Sequence, residues 1–255
     1  MIRYKGHMYR EAADPQRDRA FRQEAAEAYK KLESFITNPR RTWDDIFTAS
    51  YHEFVIRMGK VDPRYEGLRL GFERKEPGKS AGFYSPSQNA IVLRVITQDW
   101  LDKYVLDGRS RTFKYDYLLK LSWRSYFIHE FIHYLDSQRR KGPYKKKDKK
   151  EQGVEKTLEE YTEYFSSPEE FNAWYQQKME SSEKFLRTMH GVNADTVWDD
   201  YFKDWPTFKE YLEDMEFLEA PTPWPTKLLT QTYQRKLDKR LYQFYSELKQ
   251  ELFGK

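Results

Sequence analysis

Apolar positions along the chain follow two periods, and the switch between them marks out its parts. Phe21, Ala25, Ala28, Tyr29, Leu32, Phe35 and Ile36 recur at intervals of three and four between Asp14-Pro15 and Asn38-Pro39. That spacing gathers them on one face of a long amphipathic helix, opened by Asp-Pro and closed by Asn-Pro. From Trp43 to Met58, the residues Ile46, Phe47, Tyr51, Phe54 and Val55 predict a second, less regular helix that Gly59 closes.

From Leu68 the period falls to two. Leu68, Leu70 and Phe72 alternate with Arg69 and Gly71, Gly82-Phe83-Tyr84 follows, and Ser85-Pro86-Ser87-Gln88-Asn89 precedes Ala90-Ile91-Val92-Leu93-Arg94-Val95. These are three short strands with a turn before the last. Helical spacing then resumes. Leu118, Leu121, Ser125, Ile128, Ile132 and Leu135 predict a helix from Tyr115 to Gln138 that Gly142-Pro143 stops. Val154, Leu158, Tyr161 and Phe165 start another, Ser166-Ser167-Pro168 breaks it, and a third runs from Pro168 to about Leu186. Beyond Gly191 the chain is helical and aromatic, with a stiff Ala220-Pro221-Thr222-Pro223-Trp224-Pro225 spacer before a last helix from about Thr226. The expected fold class is α+β, mostly helical, with a small sheet at 68–95. The expected parts are an N-terminal helical segment at 1–67 packed on the core, a central domain at 68–190 and a C-terminal helical extension at 191–255.

Composition narrows the chemistry. The 255 residues are 38% hydrophobic and 17% aromatic, ample for a core, and no apolar run approaches the length of a membrane span. The start, Met1-Ile2-Arg3-Tyr4-Lys5, lacks the apolar stretch of a signal peptide, so a soluble, cytoplasmic protein is expected. With no cysteine in the chain, thiolate ligands and disulfides are excluded, and a metal would have to be held by His, Asp or Glu. A net charge of +4, from 45 basic and 41 acidic residues, is too balanced for a nucleic-acid binder. Only Arg139 to Lys150, with eight Lys or Arg, has the density for phosphate contact, and a solvated loop explains it better.

The stretch Phe127-Ile128-His129-Glu130-Phe131-Ile132-His133-Tyr134-Leu135-Asp136 puts two of the five histidines four positions apart, with a glutamate after the first. One helical turn separates them, so both imidazoles can address one cation while Glu130 reaches a water beside it. Ile128, Ile132 and Leu135 form the neighbouring face that enters the core. The competing reading is a solvated helix face that spells the motif by accident. The strands before it, the helical spacing through it and a carboxylate after it favour the metal site. Imidazole with carboxylate suits Zn²⁺, with three protein ligands and a fourth position left open.

A third histidine is excluded, because Asp136 and Arg139 stand where an HExxHxxGxxH run requires Gly and His. The remaining source is a later glutamate, and Glu170 in Ser166-Ser167-Pro168-Glu169-Glu170-Phe171-Asn172-Ala173-Trp174 is the candidate. Glu159, Glu160, Glu163 and Glu169 are weaker ones. An equal alternative is that Ser167 caps the helix and Glu170, at the third helical position, bends back to the cap's own N–H. Asp136 could orient His133 or lie in solvent. Tyr161, Tyr164, Tyr175 and His190 could donate to an oxyanion, and a strand edge at Ile91–Val95 could align an extended substrate. His7, His52 and His190 carry no ligand signal.

The pair of segments "HEFIHYLD" and "SPEEFNAW" resembles the zincin metallopeptidases whose third ligand is glutamate. It is most similar to bacteriophage-encoded proteins assigned as zinc peptidases, in which an HExxH helix precedes a Glu-x-Asn-Ala segment. The likeness covers about 68–186, where "AGFYSPSQNAIVLRV" resembles the hairpin ahead of the active helix, and "MIRYKGHMYREA" resembles phage protein starts. It implies His129, His133 and Glu170 as zinc ligands, Glu130 as general base, and a zincin-like domain hydrolysing peptide bonds in a peptide or protein substrate. It also implies a place in the host cytoplasm or the virion, with phage structural proteins as partners. The alternative is a non-catalytic virion structural or assembly protein that keeps the fold, for which the aromatic C-terminal third would supply docking surface.

Overall fold

The computed structural model describes residues 15–38, 46–50, 53–75, 80–104, 115–139, 158–214 and 229–254. The first helix, α1 (Pro15–Thr37), follows its predicted period: Phe21, Ala25, Ala28, Leu32 and Ile36 are all buried. The next segment departs from expectation. Instead of a helix over Trp43–Met58, β1 (Ile46–Ser50) and β2 (Glu53–Arg57) form an antiparallel hairpin. Phe54, Ile56 and Met58 are buried at every second position, a strand period that the irregular apolar run around it obscures. A one-turn helix, α2 (Met58–Val61), leads into β3 (Arg69–Arg74), β4 (Gly82–Ser85) and β5 (Ala90–Ile96).

The five strands lie in the order β1-β2-β3-β5-β4, antiparallel throughout except for the parallel pair β3–β5. The strand expected at an edge, Ile91–Val95, is therefore interior. Strand β5 is flanked on both sides and buried at every position, and β4 forms the rim. Tyr84 pairs with Ile91 and Ser85 with Ala90 across a turn. Asn89 closes that turn with φ of 45°, a left-handed conformation its short polar side chain tolerates.

After α3 (Gln98–Tyr104), the helix predicted as one piece from Tyr115 splits. A 3₁₀ turn covers Tyr115–Lys120, and α4 (Arg124–Arg139) begins only after a break at Trp123. The buried indole of Trp123 donates to the Leu118 carbonyl at 2.7 Å, which holds the bend. Then follow α5 (Leu158–Phe165), α6 (Pro168–Val192), α7 (Ala194–Val197), a π-helical turn at Trp198–Phe202, α8 (Trp205–Asp214) and α9 (Gln231–Phe253). The architecture is thus mostly helical α+β with a small mixed sheet.

Two apolar clusters share α6 as a wall. One unites α1, the sheet and α4, and takes in Ala173; the other joins Phe171, Trp174 and Tyr175 to the helices beyond residue 193. The boundary expected at residue 190 falls inside α6. Trp198, Tyr201, Phe202, Trp205, Phe208 and Tyr211 all belong to the second cluster. Among the described residues only Val192 and Tyr242 are large apolar side chains left exposed. No helix among them is long and apolar enough to cross a membrane.

Candidate metal centre

Helices α4 and α6 run antiparallel, and three polar contacts set their register. At one end Arg124 forks onto the Glu180 carboxylate, with Nη1 2.7 Å from Oε2. In the middle His129 meets Gln177, and at the other end Asn172 Nδ2 donates to Asp136 Oδ2 at 3.0 Å. Buried Ala173 lies among the α4 residues of the first cluster, where a larger side chain would push the helices apart.

This register brings His129, His133 and Glu170 together. Their facing atoms form a small triangle: His129 Nε2 and His133 Nε2 are 3.2 Å apart, and each lies 3.4 Å from Glu170 Oε2. Ligand atoms on a tetrahedral ion with bonds of about 2.0–2.1 Å sit about 3.3 Å from one another, so the triangle has the right size. The donor set fits as well. One imidazole proton can bridge the two rings, but Glu170 Oε2 is buried and accepts no hydrogen bond of ordinary geometry. A buried carboxylate oxygen left in that state is costly, and a cation at the centre of the triangle removes the cost.

Burial alone would push the Glu170 carboxyl up, but the His133 and His129 imidazoles override it and hold it well below the usual carboxylate range. It therefore offers an anionic oxygen to the triangle. Of the two roles weighed for Glu170, the structure shows the N-cap contact to its backbone and sets its side chain beside the histidines. Its backbone N–H donates to Ser167 Oγ at 3.4 Å, so Ser167 is the N-cap. The reciprocal half of a capping box is absent, because Ser167 N–H donates to the Tyr164 carbonyl at 3.1 Å and the Glu170 side chain turns to the histidines.

His129 Nδ1 lies 3.1 Å from Gln177 Oε1. A carboxamide oxygen can only accept, so this contact favours the tautomer with the proton on Nδ1 and the Nε2 lone pair toward the triangle. Glu130 is 7% exposed and lies beneath the rim strand: a Cβ on Gly82 would come within 3.3 Å of Glu130 Cγ and 3.1 Å of the Val92 carbonyl oxygen. Glycine at 82 is what permits this approach of β4 to α4. Ser137 Oγ, donating to Tyr84 Oη at 3.1 Å, ties the same two elements together one step along.

Other expected contributors are placed elsewhere. Asp136 is not a solvated carboxylate: it is 4% exposed and engages Asn172, whose Oδ1 accepts from Arg240 Nη2 at 3.0 Å. Tyr175 is buried with its hydroxyl donating to the Arg240 carbonyl, which removes it as an oxyanion donor. His190 stands twenty residues along α6 from Glu170, about 30 Å by helical rise, against the Phe253 ring. Tyr164 packs edge-on to Phe165. Of the weaker ligand candidates, Glu159 is an exposed residue of α5, and neither Glu163 nor Glu169 joins the cluster. His7, His52, the Tyr161 and Glu160 side chains and residues 140–150 of the basic run lie outside what is described.

Gln177 and Gly82 were given no role by sequence, and Asn172 entered only as part of the Glu-x-Asn-Ala segment. Gln177 had a signal, since it follows Glu170 by seven positions and so shares its face. No protein-family model matches this chain, and neither the curated proteins nor the solved structures contain a match to it. What the site can do rests on its own geometry: two imidazoles and a carboxylate able to hold a cation, with a buried glutamate on the adjoining turn.

Proposed function

We propose that the protein is a zinc-dependent metallopeptidase of the zincin type, with His129, His133 and Glu170 as the zinc ligands and Glu130 as general base. The observation that carries this reading is the convergence of three ligand atoms at 3.2–3.4 Å, one of them an otherwise unsatisfied buried carboxylate oxygen. Two imidazoles and one carboxylate are the donor set of catalytic rather than structural zinc, which leaves a position open for chemistry. Bound there, zinc supplies a Lewis acid that activates water and polarises a peptide carbonyl.

The chain's own residues supply the remainder. Glu130, directly after the first ligand, takes the proton from the attacking water and returns it to the leaving nitrogen. Its side chain is buried beneath Gly82 on the ligand helix rather than free in solvent. The rim strand β4, not β5, offers backbone N–H and C=O groups to an extended peptide, because no described strand pairs with its outer edge. A phage origin belongs to the same proposal and rests on the sequence resemblance alone.

The competing reading, a virion scaffold without turnover, drew on the aromatic C-terminal third. Those side chains pack into a core of their own, so they supply it with no broad docking face among the described residues. Incubation of zinc-loaded protein with a mixed peptide library tests the proposal. Hydrolysis is expected, with Glu130→Gln slowing it about 10²–10⁴-fold while zinc stays bound. Unchanged turnover in that variant would remove the mechanism, and failure of the wild type to bind zinc would remove the whole reading.

A further inference from the structure

We infer that Gln177 is a positioning residue of the metal centre: it fixes His129 in the Nδ1–H tautomer and so aims the Nε2 lone pair at the cation. The inference rests on the metal-binding reading above and assigns a residue that the HExxH and Glu-x-Asn-Ala segments do not contain. Free imidazole favours the opposite tautomer, with the proton on Nε2, and a proton there would block coordination. The ring therefore needs a fixed acceptor behind it. Gln177 Oε1 provides one at 3.1 Å, from a side chain 8% exposed and thus screened from competing water.

The placement follows from the helix that carries it. Gln177 lies seven residues after Glu170 on α6, about two turns and 10 Å along the axis, so one rigid element supplies both a ligand and the support for another. The Arg124–Glu180 ion pair, three residues further along α6, holds this stretch against α4. His129 most needs such support, because its side chain is 16% exposed against 5% for His133, and an exposed ring is freer to turn. A carboxamide orients the ring without adding charge, so a carboxylate at 177 should support the imidazole still better.

Zinc affinity of the full-length protein, measured by competition with a chromogenic chelator, tests this together with ¹⁵N-histidine NMR of the metal-free protein. Gln177→Met, similar in length and without an acceptor, should weaken zinc binding about tenfold to a hundredfold. Gln177→Glu should bind at least as tightly as wild type. In metal-free wild type the His129 signal, assigned by its loss in His129→Asn, should report Nδ1–H, and in Gln177→Met it should move toward Nε2–H. Wild-type affinity in Gln177→Met, Gln177→Glu binding no better than Gln177→Met, or Nε2–H in wild type would each overturn the inference. Should Gln177→Met not fold, the wild-type tautomer and the Gln177→Glu affinity still decide it. Absence of zinc binding by wild type defeats the metal reading itself, and the NMR tautomer reports on Gln177 independently of that failure.

Discussion

A single residue type can serve a site in two ways at once, and Glu170 does so. Its N–H belongs to the helix end and its carboxylate to the histidines, so the backbone and side-chain halves of one residue separate in role. Glu170→Gln keeps the cap and most of the volume but removes the charge; the expected result is a loss of zinc affinity of two orders of magnitude or more with little change in helix content, read by chelator competition and circular dichroism. Asp62 presents a different single-residue effect, remote from the site. Hydrogen bonding to Arg64, and then to Lys31, outweighs burial and holds its carboxyl far below the ordinary range. A folded-state pKa below the unfolded value of about 3.9 stabilises the protein above about pH 4 and ceases to do so as pH falls through the folded value. Asp62→Asn should therefore cost about 1–2 kcal/mol at pH 7, discounted because Lys31 and Arg64 are half exposed, and the gap to wild type in denaturant titrations should close as pH falls below 4.

At the level of elements, the close approach of β4 to α4 is the feature most open to test. A Cβ added at Gly82 would meet the Val92 carbonyl oxygen, a Leu93 methyl and Glu130 Cγ at 3.1–3.3 Å, so even one added methyl must displace something. Gly82→Val should lower peptidase turnover at least tenfold by shifting Glu130, while zinc affinity changes little because the ligands sit on α4 and α6. Parallel loss of zinc would mean that the strand supports the ligands and not the base. Helix α6 depends on its start in a comparable way: Ser167→Ala removes the cap and should cost about 1 kcal/mol of stability.

Across the whole molecule, a polar chain links α4 and α6, which carry the candidate ligands, to α9 and α1. Asp136 on α4 accepts from Asn172 on α6, Asn172 accepts from Arg240 on α9, and Arg240 Nε and Nη2 engage Asp18 on α1, with Nε 2.9 Å from Asp18 Oδ2 and Nη2 2.7 Å from Oδ1. The guanidinium also lies over the Tyr175 ring at 3.9 Å. Replacing Arg240 with Met leaves the Asp18 carboxylate and the Asn172 carboxamide oxygen short of a donor, so a loss of about 3 kcal/mol is expected. Combined with Asn172→Ala, the loss should fall short of the sum, since both changes break one network. Zinc itself should raise global stability by about 4 kcal/mol at a thousandfold excess over Kd, seen as a melting temperature that drops on chelation.

The helix of the histidines, the long N-terminal helix and the hairpin at 82–96 were legible in the residues alone, because in each a periodic apolar face, a cap or a turn residue acts over a few neighbouring positions. The sequence also supplied the candidate ligand pair, whose spacing is a property of one helical turn. Strands β1 and β2 escaped it, since a short apolar run suits either period until a neighbouring strand offers hydrogen bonds. Three things waited on the packing of distant segments: the turn of the Glu170 side chain toward the histidines, the sheet's rim at Gly82–Ser85 instead of Ile91–Val95, and the place of Gln177 behind His129. Each of these depends on how α4, α6 and the sheet are set against one another, and that arrangement arises from burial shared among segments far apart in the chain.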